Sequence, residues 1–76
     1  MTLDEVKPGQ SAVIKKSIAQ GVLAQRLMDL GFFRGAEVQV LRNAPLVDPV
    51  EFVLDGHHVS LRHEEARLLE VASVEG

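Results

Sequence analysis

Val50-Glu51-Phe52-Val53-Leu54-Asp55-Gly56-His57-His58-Val59-Ser60-Leu61-Arg62 is the stretch that decides the fold. Two runs rich in β-branched and apolar residues flank Asp55-Gly56, the pair preferred by a two-residue type I′ hairpin, whose central positions both need positive φ. That turn pairs Leu54 with His57, Phe52 with Val59 and Val50 with Leu61. Side chains alternate along a strand, so one face collects Val50, Phe52, Leu54, Val59 and Leu61 and reads as a core face. The adjacent His57 and His58 then leave opposite faces of the ribbon.

Working outward, Ala44-Pro45-Leu46-Val47-Asp48-Pro49 is a loop stiffened at two points by proline. Glu37 to Arg42 alternates polar and apolar residues and predicts a strand with Val38 and Val40 inward. Between Gln20 and Leu30 the period changes: Leu23, Leu27 and Leu30 fall at i, i+4 and i+7, a helical stripe, and Gly31 stands where a C-cap glycine belongs. Phe32-Phe33-Arg34-Gly35 turns the chain. Gln10 to Ile18 predicts a strand after the Pro8-Gly9 turn. Thr2-Leu3-Asp4-Glu5 has the spacing of a capping box and starts a short helical turn. After the hairpin, His63 to Arg67 makes a turn or a single helical turn, and Leu68 to Val74 supplies a last strand. The fold class is mainly β: about five strands, one helix over residues 20–30 and short helical turns, arranged as a small barrel whose closure removes exposed sheet edges. Residues 1–76 read as a single domain.

Composition excludes several functions. Of 76 residues 46% are hydrophobic, with three Phe and no Trp or Tyr, so the core is aliphatic. The chain has no cysteine, which rules out disulfides and thiolate metal sites. The N-terminus carries Asp4 and Glu5 and no apolar h-region, so no signal peptide is expected, and no apolar run approaches a membrane span. The expectation is a soluble cytoplasmic protein with no direct membrane insertion. The formal charge of −3 is unevenly placed. Residues 1–42 hold six basic against four acidic side chains, and residues 43–76 hold two against seven. Neither half has the clustered Lys/Arg that neutralises phosphates, so nucleic acid is not an expected partner. Without Trp or Tyr the aromatic groove that grips proline-rich peptides cannot be built. There is no cysteine nucleophile, GxSxG elbow or Walker A loop, and no catalytic residue is expected.

Taken in order, Gly21-x4-Arg26-Leu27-x2-Leu30-Gly31-Phe32-x2-Gly35, Val38-x-Val40, Ala44-Pro45-x2-Asp48-Pro49, the Asp55-Gly56 hairpin and Leu61-Arg62-x2-Glu65-Ala66 resemble the FeoA family, ferrous iron transport protein A. The resemblance runs from about Leu3 to Val71. Arg34 stands where the family commonly has proline, and Val47 where glycine often precedes the Asp-Pro pair. The resemblance implies an SH3-like barrel with attached helices. It also implies a non-enzymatic cytoplasmic accessory of bacterial ferrous-iron uptake, whose partner is the GTPase-bearing cytoplasmic region of the transporter FeoB. Such a protein sits at the inner membrane only through that partner.

Candidate residues follow from the helix and the proline loop. On a helical projection Leu30, Leu23, Leu27, Ala24 and Met28 span an arc of about 160°, wider than the roughly 100° that docking on one core needs. Either the barrel and the N-terminal segment bury all of it, or Met28, with Val22 on the polar side, marks a partner-binding edge that Leu30 and Phe33 extend. Arg26, with Asp29 three residues on, is either a surface ion pair or a rim charge that orients the partner. Pro45, Asp48 and Pro49 belong to a loop pre-ordered for recognition, although Asp48 equally suits a cap on the turn. His57, His58 and His63 are the weak candidates for Fe2+ or Zn2+, the alternative being a metal-binding or metal-sensing module; no cofactor is otherwise expected. Glu64 and Glu65 read as a solvated charge run beside Arg62 and Arg67. A wide apolar arc and an open sheet edge would also permit a homo-oligomer.

Overall fold

Asp55 and Gly56 close the hairpin with φ of 48° and 79°, the two positive values a type I′ turn requires. The computed structural model describes Met1–Gly76 and gives the strands β1 (Ser11–Ser17), β2 (Glu37–Arg42), β3 (Val50–Leu54), β4 (His57–Leu61) and β5 (Leu69–Glu75). Helix α1 spans Gly21–Asp29 and the single turn α2 spans His63–Ala66; a 3-10 turn, Leu3–Glu5, precedes β1. The β3–β4 register is the one the turn demands, with Leu54 opposite His57, Phe52 opposite Val59 and Val50 opposite Leu61. Val50, Phe52, Leu54 and Leu61 are buried; Val59 is only half-buried because it lies on the edge strand.

All five strands are antiparallel neighbours, in the order β4-β3-β2-β1-β5. The sheet does not close, contrary to the expected full closure. The two end strands are joined by α2, and the N-terminal residues pack at that seam. Thr2 bridges to Glu70, Met1 accepts a backbone hydrogen bond from Val71 (2.9 Å), and Leu3, Val6 and Ala66 are fully buried. The outer edge of β5 is therefore partly covered by chain, and a plug of side chains does the sealing that β4–β5 hydrogen bonds would do in a closed barrel. The 3-10 turn is held at its start by Glu5, whose Oε1 accepts from the Thr2 amide at 2.9 Å.

Helix α1 ends in a Schellman motif. Gly31 (φ 108°) donates to the Met28 carbonyl and Phe32 to the Leu27 carbonyl, both at 3.0 Å. The left-handed glycine swings the chain so that Phe32 enters the core beside Leu27 and Phe33 faces out. Phe32 meets Phe52 edge to face, with ring centroids 5.7 Å apart and planes at 82°.

Phe52 is completely buried at the middle of β3. Phe52→Ala removes its ring from both the sheet face and Phe32, and should cost about 3–5 kcal/mol. Asp55→Asn keeps the turn chemistry and should stay within roughly 0.5 kcal/mol of the parent. Urea denaturation of the two variants measures both.

Candidate partner-binding surface

The apolar arc of α1 is only partly absorbed by the core. Leu27 alone is fully buried, Leu23 and Ala24 are half-buried, and Met28 and Leu30 are exposed. Of the two readings of the arc, burial of all of it by the barrel and the N-terminal segment does not hold: a nine-residue helix laid against a narrow sheet offers the core one line of contact. Val22 (87% exposed), Met28 (59%), Leu30 (36%) and Phe33 (51%) leave apolar surface in solvent from the first turn of the helix to the turn beyond it.

Arg26 does not pair with Asp29. Its Nη1 donates to Glu65 Oε2 at 2.7 Å, 39 residues away, while Asp29 accepts from Gln25 Nε2 at 2.9 Å. Glu65 is correspondingly not part of a solvated run. It is 8% exposed, and its other oxygen accepts from the Arg62 amide at 2.9 Å, which caps α2. One carboxylate thereby ties α1 to α2. The ordering of both helices favours this pair over an exposed i, i+3 contact. Arg26 is a strut as well as a surface charge.

Asp48 and His63 meet across 15 residues. Asp48 Oδ1 accepts from the His63 amide (2.8 Å) and lies 2.7 Å from His63 Nδ1, and Arg62 Nε is 3.7 Å from its other oxygen. Asp48 thus anchors the proline loop to α2 and does not simply cap its own turn. The far ring nitrogen, Nε2, faces Asn43 Oδ1 at 2.9 Å. The orientation of Asn43 follows from its amide nitrogen, which donates to the carbonyls of Asp4 (2.9 Å) and Val6 (2.8 Å). An Asp–His pair resembles the orienting half of a catalytic triad. Here both ring nitrogens point at acceptor oxygens and neither is directed at a substrate, so the pair locks loop to helix.

The surface carries two grooves. One, about 420 Å³, is lined by Leu46, Asp48, Arg62, His63, Glu64 and Arg67. Above it Leu46 holds a left-handed backbone (φ 63°) with its side chain wholly in solvent, a strained conformation for leucine. The other, about 310 Å³, lies between the end of α1 and the hairpin; Leu30, Phe33, Ala36 and Leu54 line it, with Asp29, Glu37, Asp55 and His57 around them. The predicted residues therefore divide. Leu30 and Phe33 line the second groove and Asp48 the first; Val22, Arg26, Met28, Pro45 and Pro49 line neither. His57 and His58 sit opposite Leu54 and Val53, on alternate faces of β4. No three His, Asp or Glu side chains converge as metal ligands do.

The FeoA domain model matches residues 1–73. The chain belongs to the FeoA family. It is 39% identical over 71 residues to an Fe(2+) transport protein A/Fe(2+) transporter FeoB fusion protein of Porphyromonas gingivalis, covering 93% of this chain and 8% of that protein. FeoA of Chlorobium tepidum is 42% identical, covers 93% of this chain and 68% of its own, and superposes with a TM-score of 0.84. FeoA of Stenotrophomonas maltophilia, solved with zinc and described as a procaryotic SH3 domain protein, is 32% identical with a TM-score of 0.87, covering 99% and 95% of the two chains. The chain is thus an SH3-like FeoA domain of the ferrous-iron transport family, and no helix is long and apolar enough to cross a membrane.

The Asp48 contacts carry a pH signature. Hydrogen bonds from the His63 amide and then from its side chain hold the Asp48 carboxyl below its ordinary 3.8. The folded state therefore binds this proton less readily than the unfolded chain. Its contribution is complete above the ordinary value and is lost as pH falls through the folded one. Asp48→Asn should lower the urea midpoint slightly at pH 7, and the deficit should shrink as acidification passes below about pH 4. A series of urea titrations from neutral to acid pH gives the comparison.

Proposed function

We propose that this FeoA domain is a non-enzymatic cytoplasmic accessory of bacterial ferrous-iron uptake, which acts by binding the cytoplasmic, GTPase-bearing region of a FeoB-type transporter. The observation that carries the reading is the Porphyromonas relative, in which a segment matching 93% of this chain is continuous with the transporter itself. Covalent fusion of two modules sets a high effective concentration between them, which is useful when they work in contact. The Stenotrophomonas relative, put forward as a ferrous iron transport activating factor, supports the same role for a free-standing domain.

The surface suits docking. Val22, Met28, Leu30 and Phe33 are apolar side chains exposed on the helix and its Schellman turn, on either side of the face that Leu27 buries, with methionine supplying an adaptable contact. The proline loop, pinned through Asp48 and Asn43, presents Leu46 and Val47 without further ordering cost. Docking on the transporter places the domain at the inner face of the membrane.

Tagged protein should recover the transporter from detergent-solubilised membranes, with recovery changed by guanine nucleotide if the GTPase region is the contact. Val22→Asp with Met28→Asp should lower both recovery and iron uptake several-fold at an unchanged melting temperature, since exposed positions carry little stability. Full recovery by that folded variant would reject Val22 and Met28 as contacts. No recovery by the parent would reject docking.

A metal-binding or metal-sensing module is the second reading, favoured by the zinc bound to the Stenotrophomonas relative. It requires Zn2+ or Fe2+ to bind through His57, His58 or His63. Calorimetric titration should then show micromolar or tighter binding that at least one of the three His→Ala variants weakens; an absence of heat would remove this reading.

A further inference from the structure

The groove between α1 and the hairpin has an unusual combination of floor and rim. Leu30, Phe33, Ala36 and the buried Leu54 make its apolar part. Gly31 also lines it, and a β-carbon there would stand 3.5 Å from Leu54, so the glycine leaves open the space over that side chain. Asp29 from the last turn of α1, Glu37 from the start of β2 and Asp55 from the hairpin turn surround the opening. The lining contains no lysine or arginine.

These three carboxylates differ from most of the others. Asp4, Asp48, Glu51, Glu65 and Glu70 each lie within 4 Å of a lysine, arginine or histidine nitrogen, whereas Asp29, Glu37 and Asp55 pair with none. Arg26, the cation nearest in sequence to Asp29, is committed to Glu65. Three like charges from three separate elements therefore line one apolar hollow, where His57 is the one basic side chain and none of the three pairs with it. Such a ring repels acidic segments and attracts basic ones, and it sets the orientation of what docks.

We infer that this groove seats an aliphatic side chain of a basic segment of the protein partner, with lysine or arginine on either side of the aliphatic anchor meeting Asp29, Glu37 and Asp55. The inference rests on the docking reading above and adds where the partner is held and by what chemistry. The size fits this occupant: about 310 Å³ is at the bottom of the range for small-molecule sites. A single anchor packed into a hollow, ringed by charges that exclude the wrong partner, is a usual arrangement for a binding hot spot. The elements are also rigid, because the Schellman turn and the type I′ turn fix both walls before any partner arrives.

The test is an NMR titration of isotope-labelled protein with two synthetic peptides. One has leucines at its centre and lysine and arginine on both sides; the other has glutamate at the basic positions. The basic peptide should shift the amides of Leu30 to Glu37 and Leu54 to His57, and binding should weaken as salt is raised. Asp29→Asn, Glu37→Gln and Asp55→Asn combined should weaken it at least about tenfold while the spectrum stays folded, because the asparagine still suits the turn. The same triple variant should recover less transporter from solubilised membranes.

Equal binding of the glutamate peptide, or shifts confined to other faces, would overturn the assignment. So would shifts of these amides with protein concentration alone, which would give the groove to a second copy of the chain. Undiminished recovery of the transporter by the triple variant would overturn it too, while leaving docking intact. If instead the parent recovered no transporter but bound the basic peptide in the groove, docking on that transporter would fail and the chemistry of the groove would stand.

Discussion

The edge-to-face contact of Phe32 with Phe52 joins the two local structures on which everything else is built. Phe52 belongs to a hairpin whose register is fixed by a two-residue turn, and Phe32 to a helix end fixed by a left-handed glycine. Neither structure is stable in isolation: short hairpins and nine-residue helices are marginal in water. Their shared aromatic contact converts two local preferences into a tertiary one. It also determines what is left outside, since turning Phe32 inward sends Phe33 outward beside Leu30.

A domain this small cannot rely on its core alone, and it has no disulfide to help. Polar ties between distant segments fill that role. Glu65 joins α1 to α2 while capping the latter, and the Asn43–His63–Asp48 chain fastens the proline loop to α2 and to the N-terminal segment. The polar atoms of these side chains that are buried all have partners. Satisfied networks of this kind specify one arrangement of segments more than they add net free energy. They hold the proline loop, α1, α2 and the N-terminal segment in fixed relation, which is what recognition needs.

The elements were legible in the sequence because their signals are local. Asp55-Gly56 implies its turn and thereby the pairing of Val50 with Leu61; the leucine spacing and Gly31 imply the helix and its end. What sequence could not place were long-range partners. Arg26 has an acidic residue three positions on, yet pairs with Glu65, because folding brings the Glu65 carboxylate within reach of its guanidinium and a nearly buried carboxylate gains more from a cation than an exposed one does. His63 similarly had no sequence neighbour to suggest Asn43 and Asp48. The acidic ring was hidden for the same reason: Asp29, Glu37 and Asp55 are far apart along the chain and meet only where α1, β2 and the hairpin turn converge. Sheet closure was overestimated because strand count says nothing about whether end strands meet.

The central claim is that this FeoA domain works by presenting one preformed face to the transporter. Hydrogen–deuterium exchange of the protein with and without detergent-solubilised FeoB-type transporter tests it most directly. Protection concentrated in the second half of α1, the turn through Glu37 and the hairpin tip around Asp55 would match the account. Unchanged exchange in those segments, with protection appearing instead around Arg62 to Arg67 or nowhere, would contradict it.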